Sequence, residues 1–231
     1  MGKQWKKAGK SEAAAKKGLI FTKLAREIQV AAKSGADPSM NPRLRLAIDL
    51  AKKQQCPNDT IERAIKKGAG LLDDGKIIEE VTYEGYGPHG VGVIVECQTD
   101  NKHRTAPEIR SIFKKSEGNL GETGSVAWMF DRVGLVEATK SGSFDPEEEA
   151  IEVNANEVEK GEDNYLFYCT LESLDEVREA LHKRGWNVTQ CEPSYKAKNI
   201  TELSEAQMKD VEEFLNLLDD MDDSHRVYAT I

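Results

Sequence analysis

The spacing of apolar residues changes period once, near Gly70, and that single change limits each part of the chain to a different kind of structure. Between residues 18 and 70 apolar side chains recur at three- and four-residue intervals: Phe21, Leu24, Ile28 and Ala31/Ala32, then Leu44, Ala47, Ile48 and Ala51, then Ile61, Ala64 and Ile65. Three short helices follow from that spacing. Asn41-Pro42 offers a cap followed by a first turn, Pro57-Asn58 opens the third helix, and Gly68 is placed to close it. After a linker at 70–76 the runs become β-branched and alternating, at 81–83, 91–97, 126–130 and 133–137.

Helix starts among these strands are marked by three capping boxes, Thr105 to Glu108, Ser173 to Glu176 and Ser204 to Gln207. Residues 132–195 read as strand (133–137), helix (146–154), strand near Val158, strand (165–170), helix (174–184) and strand (187–191). That order is the βαββαβ of a ferredoxin-like unit. The segment before it has strands at 77–84 and 91–98, a helix at 105–116 and a strand at 125–130, but no second helix and no last strand. Residues 203–218 and 227–230 can supply both. The expected architecture is therefore α+β: an N-terminal three-helix domain, then two α+β domains, the last ferredoxin-like and inserted into the middle one. In residues, this is a basic flexible tail (1–17), a basic helical bundle (18–70), a middle domain (77–131 plus 199–231) and the insert (132–198), with a serial arrangement as the alternative.

Charge divides the chain at the same place. The formal net charge of −9 is an average: residues 1–70 carry 16 Lys and Arg against 6 Asp and Glu, a net +10, and residues 71–231 carry 16 against 35, a net −19. No window holds 18 apolar residues, and no apolar stretch follows the basic N-terminus, so a cytoplasmic protein with no membrane contact is expected. Cys56, Cys97, Cys169 and Cys191 form no C-x-x-C pair and read as reduced, buried thiols. His89, His103, His182 and His225 have no metal-ligand spacing. The run Asp219, Asp220, Asp222 and Asp223 lacks the glycine and terminal glutamate of a calcium loop, and reads as a solvated helix end or as a mimic of nucleic-acid charge. No Ser/His/Asp or Cys/His grouping assembles from local spacing. The expectation is a non-enzymatic protein with no catalytic residue, metal or cofactor.

The candidate site is instead a nucleic-acid interface, on DNA or RNA. On a helical wheel Lys16, Lys23, Arg26 and Lys33 fall opposite Phe21, Leu24 and Ile28, as a cationic stripe facing solvent. Arg43, Arg45, Lys52 and Lys53 add charge from the second helix, and Arg63, Lys66 and Lys67 from the third, where phosphate contacts would release condensed counterions. The tail contributes Lys3, Lys6, Lys7, Lys10 and Lys17, with Trp5 placed to stack on an unpaired base. Secondary contacts are Tyr86, in a glycine-rich connection that lacks a P-loop ending, Asn119, and Lys102, His103 and Arg104 beside a helix N-terminus. The block 100–105 reads first as structural, with Asp100 and Asn101 turning the chain and Thr105 capping.

Several blocks carry a resemblance: Ile20-Phe21-Thr22-Lys23-Leu24, Asn41-Pro42-Arg43-Leu44-Arg45, Tyr83-Glu84-Gly85-Tyr86-Gly87-Pro88, Thr99-Asp100-Asn101-Lys102-His103-Arg104-Thr105 and Gly124-Ser125-Val126-Ala127-Trp128-Met129-Phe130. In that order they resemble the YebC/PmpR family, which includes the mitochondrial translational activator of cytochrome c oxidase. The family's opening block is present in a loosened form, Gly2-Lys3-Gln4-Trp5-Lys6-Lys7. The resemblance implies three domains and a role in gene expression: bacterial members are described as probable DNA-binding transcriptional regulators, while others act in translation, some by helping ribosomes through proline-rich stretches. Electrostatics favours RNA or the ribosome as partner, because a −19 body repels a neighbouring duplex.

Overall fold

The computed structural model describes residues 13–72 and 77–231, with side chains from Lys17 onward. The chain divides into two compact units, Met1–Asp131 with Ala197–Ile231, and Arg132–Lys196.

The first unit opens with α1 (Ala13–Ala32), α2 (Pro42–Lys53) and α3 (Asn58–Gly68). Leu24, Ile28, Ala31, Leu44, Ala47, Ala51, Ile61 and Ala64 close over one another as a small apolar core. Asn41 does two jobs at the α1–α2 corner. Its Oδ1 accepts from the backbone N of Leu44 at 3.1 Å as the α2 cap, and its Nδ2 donates to the carbonyls of Ala31 (2.7 Å) and Gly35 (2.9 Å), so a buried amide satisfies groups at both helix ends. Gly68 does not close α3. Gly70, at φ +70, does so, with Leu71 N donating to Lys66 O and Gly70 N to Lys67 O in a Schellman pattern. Gly68 is needed for a different reason: a Cβ there would run into the Gln29 carbonyl and come within 2.8 Å of the Ala32 Cβ, so its absence lets α3 lie against α1.

The same unit contains an antiparallel sheet of β1 (Glu79–Tyr86), β2 (Gly92–Thr99), β3 (Asn119–Leu120) and β8 (Ser224–Ala229), in the order β3-β1-β2-β8. Helices α4 (Lys102–Lys115) and α7 (Glu205–Asp219) cover it. Val91, Val93, Val95, Ile109, Phe113, Val211, Phe214 and Leu215 form that core, with Phe113 and Phe214 edge to face at 4.9 Å. The hairpin between β1 and β2 turns through Pro88–Gly90, and Gly87 is required there because a Cβ would lie 2.6 Å from the Phe214 ring.

Three sequence expectations change here. The stretch 125–130 is not a strand: Glu84, buried on β1, accepts from the backbone N of Gly124, Val126 and Ala127, so these donors are withheld from a ladder. A 3-10 turn, Ala127–Met129, results, and the only β3 ladder is two residues long. Thr105 is not a cap either. Asn101 caps α4 by accepting from the backbone N of Arg104, and Thr105 is buried inside the helix. Ser173 occupies an N-cap position without a side-chain cap bond, whereas Ser204 and Gln207 form the full reciprocal box.

The second unit is the insert. β4 (Phe130–Thr139), α5 (Pro146–Glu152), β5 (Glu157–Lys160), β6 (Tyr165–Cys169), α6 (Leu174–Lys183) and β7 (Asn187–Ala197) form a sheet in the order β5-β6-β4-β7. That order is the ferredoxin-like one, and the insertion into the middle domain is visible in the topology, since β8 returns to pair with β2. Trp186 sits at its centre among Phe144, Tyr165 and Phe167, and its Nε1 donates to Glu149 at 2.9 Å. Glu149 also receives Arg184 and Lys140, each at 2.8 Å; the hydrogen bond from Arg184, against the opposing effect of burial, leads in lowering its carboxyl to about 2. No described helix is long and apolar enough to cross a membrane.

Candidate nucleic-acid interface

Basic side chains of the helical module fall into two sets. Arg45, Lys52 and Lys53 on α2, and Arg63 and Lys66 on α3, are exposed and form no ion pair among the described residues. Lys52, Lys53 and Lys66 lie in the last turns of their helices, where the macrodipole also favours a positive charge. Lys67 is half-buried and beside a groove of about 300 Å³ lined by Phe21, Arg26, Gln29, Ile78 and Asp100.

The stripe on α1 is different, and it departs from the solvent-facing arrangement expected of it. α1 is covered on two sides: its apolar face packs on α2 and α3, and its cationic face lies against the middle domain. Lys23 Nζ is 3.6 Å from the Asp219 carboxylate and also donates to the Asp219 carbonyl. Arg26 Nη2 is 2.9 Å from Asp223 Oδ1, and its Nη1 donates to the Asp222 carbonyl. Lys33 Nζ donates to the Ile78 carbonyl at 2.5 Å. Lys23 and Arg26 side chains keep only 17% and 14% of their accessible surface. Arg43 is held by Glu27 at 2.8 Å and Glu80 at 2.9 Å, which offsets a cation at the unfavourable end of α2.

The acceptors are the residues that sequence reasoning missed. Asp219 and Asp223 are buried, not a solvated helix end. Asp223 Oδ2 accepts from Thr105 Oγ1 (2.6 Å), Thr99 Oγ1 (3.1 Å) and Arg104 (2.8 Å), while Oδ1 takes Arg104 and Arg26, each at 2.9 Å. Burial pushes that carboxyl up, but the hydrogen bonds from Thr105 and Arg104 and the charge of Arg26 outweigh it and hold it below the usual range. Glu27 plays the matching part on α1. It receives Arg43 and Gln98 Nε2 at 2.7 Å, and His225 Nε2 lies 3.2 Å away as an ion-pair neighbour. Burial opposes ionisation there too, but the Arg43 hydrogen bond and the charges of His225 and Arg43 bring it to about 2. A signal existed in the sequence: Glu27 is the one acid among the α1 cations, and Asp219–Asp223 is the densest run of aspartate in the chain.

The secondary candidates separate into two places. Arg104 joins Arg26 on Asp223 and also meets Asp100 at 3.0 Å, Lys102 pairs with Glu79, and His103 is exposed. Tyr86 and Asn119 are cross-strand neighbours in the β1–β3 ladder, with the Tyr86 hydroxyl donating to the Ser125 carbonyl at 3.2 Å. Lys3, Trp5, Lys6, Lys7 and Lys10 lie outside the described residues. Lys16 lies in α1, which begins at Ala13, and its side chain is likewise outside them. Lys17 is exposed in the same helix, 5.8 Å from the Phe21 ring centre. Cys56, Cys97 and Cys169 are buried, Cys191 is half-buried, and all four are free thiols. Among the described residues no group of three His, Cys, Asp or Glu side chains is arranged to hold a metal ion.

A basic three-helix module joined through charge pairs to an acidic α+β body, with a ferredoxin-like insert, defines a modular class of protein whose distinguishing surface is its helical module. The chain belongs to the TACO1/YebC family: residues 2–71 match the family's N-terminal domain, and residues 78–231 match its second and third domain. It is 74% identical over 232 residues to a probable transcriptional regulatory protein of Bdellovibrio bacteriovorus, covering 100% of both chains. A protein of the same description from Pseudomonas syringae pv. syringae is 47% identical, with 99% of this chain and 98% of that one covered. The crystal structure of a conserved hypothetical protein from Aquifex aeolicus has a TM-score of 0.86 at 42% identity, covering 97% of this chain and 93% of that chain.

Proposed function

We propose that this chain is a non-enzymatic regulator of gene expression that binds nucleic acid through the helical module, in the cytoplasm. The observation that carries the reading is the exposed cation set on α2 and α3, Arg45, Lys52, Lys53, Arg63 and Lys66, within a segment of net charge +10. Exposed, unpaired cations gain most from phosphate, because neutralisation releases condensed counterions and no existing ion pair has to be broken first. The regulatory names of the Bdellovibrio and Pseudomonas relatives agree with this role.

Among nucleic acids, the net −19 of residues 71–231 favours RNA within a ribonucleoprotein, such as the ribosome, over a duplex that the body would lie beside and repel. The basic module then meets RNA while the acidic domains meet basic protein. Co-sedimentation of the protein with ribosomes, set against binding to duplex DNA at physiological salt, tests the choice. Ribosome association that falls away when residues 1–17 are removed is the expected result. Tight, sequence-selective duplex binding without ribosome association would make the protein a DNA-binding transcriptional regulator.

A further inference from the structure

We propose that the acidic turn at 219–223 is an internal competitor for polyanions, holding Lys23 and Arg26 in the free protein and releasing them when nucleic-acid phosphates take the same face of α1. The inference rests on the reading that the helical module binds nucleic acid.

Three features of the seam support it. The acceptors resemble a phosphate in chemistry, since each cation meets an anionic carboxylate oxygen and a neighbouring carbonyl oxygen. The seam is rich in polar ties: the apolar core cluster of the helical module and that of the middle domain share no residue, and the contacts between them include Lys23–Asp219, Arg26–Asp223, Glu27–Gln98, Glu27–His225, Lys33–Ile78 and Arg43–Glu80. Polar interfaces of this kind permit relative motion, and an open groove of about 300 Å³ runs alongside Arg26. Release of Arg26 also leaves no stranded carboxylate. When Arg26 departs, Asp223 keeps Arg104, Thr99 and Thr105 from its own domain, and Glu27 keeps Arg43 from its own module. A clamp built only for stability gains nothing from this redundancy.

The test is a mutant cycle read by fluorescence anisotropy with a short single-stranded RNA and a DNA duplex of matched length. Asp219→Asn removes the carboxylate that faces Lys23 and leaves Asp223 intact. Binding is expected to tighten, and the slope of log K against log salt to steepen by about 0.9 on the duplex and about 0.7 on the single strand for the cation freed, so affinity falls about 3.5-fold or about 2.6-fold further between 50 and 200 mM salt. Lys23→Gln is expected to change wild-type binding less than about twofold, because lost contact and lost competition offset, and to cancel the gain in the aspartate variant. Equal loss in both backgrounds, or no gain from the aspartate variant, overturns the competitor. Should that variant fail to fold, hydrogen exchange of the wild-type chain decides: amides at 220–224 exchange faster when the RNA saturates the protein, and unchanged or slower exchange overturns the proposal. If substituting the exposed α2 and α3 cations by glutamine leaves wild-type binding untouched, it is the underlying nucleic-acid reading that fails.

Discussion

Replacing Asp223 by alanine removes the acceptor on which two domains converge. Its carboxylate is 2% exposed and takes Arg26, Arg104 and the hydroxyls of Thr99 and Thr105. Taking away one partner of a buried ion pair costs about 3–5 kcal/mol, because the remaining groups stay buried without compensation. Two features place this site near the lower figure: Arg104 is 49% exposed and retains Asp100, and the Arg26 donor to the Asp222 carbonyl survives. About 3 kcal/mol is therefore expected, which in a domain of this size lowers the melting temperature by roughly 6–12 °C. Calorimetry and urea unfolding at neutral pH measure both, with Asp220→Ala, an exposed residue of the same turn, as a control expected to stay within about 0.5 kcal/mol. A loss below about 1 kcal/mol for Asp223→Ala would refute the reasoning that this carboxylate ties the helical module to the sheet.

Further outcomes are expected from the same contacts. Glu27 has a folded pKa near 2 against an ordinary 4.5, so its stabilisation is complete above the ordinary value and disappears as pH falls toward 2; Glu27→Gln should flatten the acid limb of a stability–pH curve in that window. Gly68→Ala sets a methyl against the Gln29 backbone, and chemical denaturation should show a net loss of about 1–2 kcal/mol despite the better helix propensity of alanine. Glu84→Ala leaves the amides of Gly124, Val126 and Ala127 without their acceptor, and their hydrogen exchange should accelerate along with a change in the emission of Trp128, which is 64% exposed on the same turn.

Most of the architecture was readable in the sequence because each helix buries one regular face and the β-branched runs alternate. Leu24, Ile28, Ala47 and Ile61 are core residues for the reason their spacing suggests. Two of the errors share a physical cause, in that a long-range side chain captured a local signal. Thr105 has a capping motif but serves Asp223, 118 residues away, and the alternation at 125–130 is overruled by the Glu84 carboxylate from β1. The α1 stripe shows the same limit at the candidate site. A helical wheel identifies which cations share a face, but whether that face meets water or the carboxylates of Asp219 and Asp223 depends on a contact nearly 200 residues distant in the chain. Among the described residues Arg45, Lys52, Lys53, Arg63 and Lys66 have no such partner, so for them the sequence pattern and the exposed surface coincide.

The most direct test of the helical module as the nucleic-acid surface is the salt dependence of RNA binding in the variant with Arg45, Lys52, Lys53, Arg63 and Lys66 all changed to glutamine. If these five residues meet phosphate, the slope of log K against log salt falls by up to about 3.5 on single-stranded RNA, and affinity falls with it across unrelated sequences. An unchanged slope, with affinity retained, would contradict the claim and assign the charge of α2 and α3 to solubility alone.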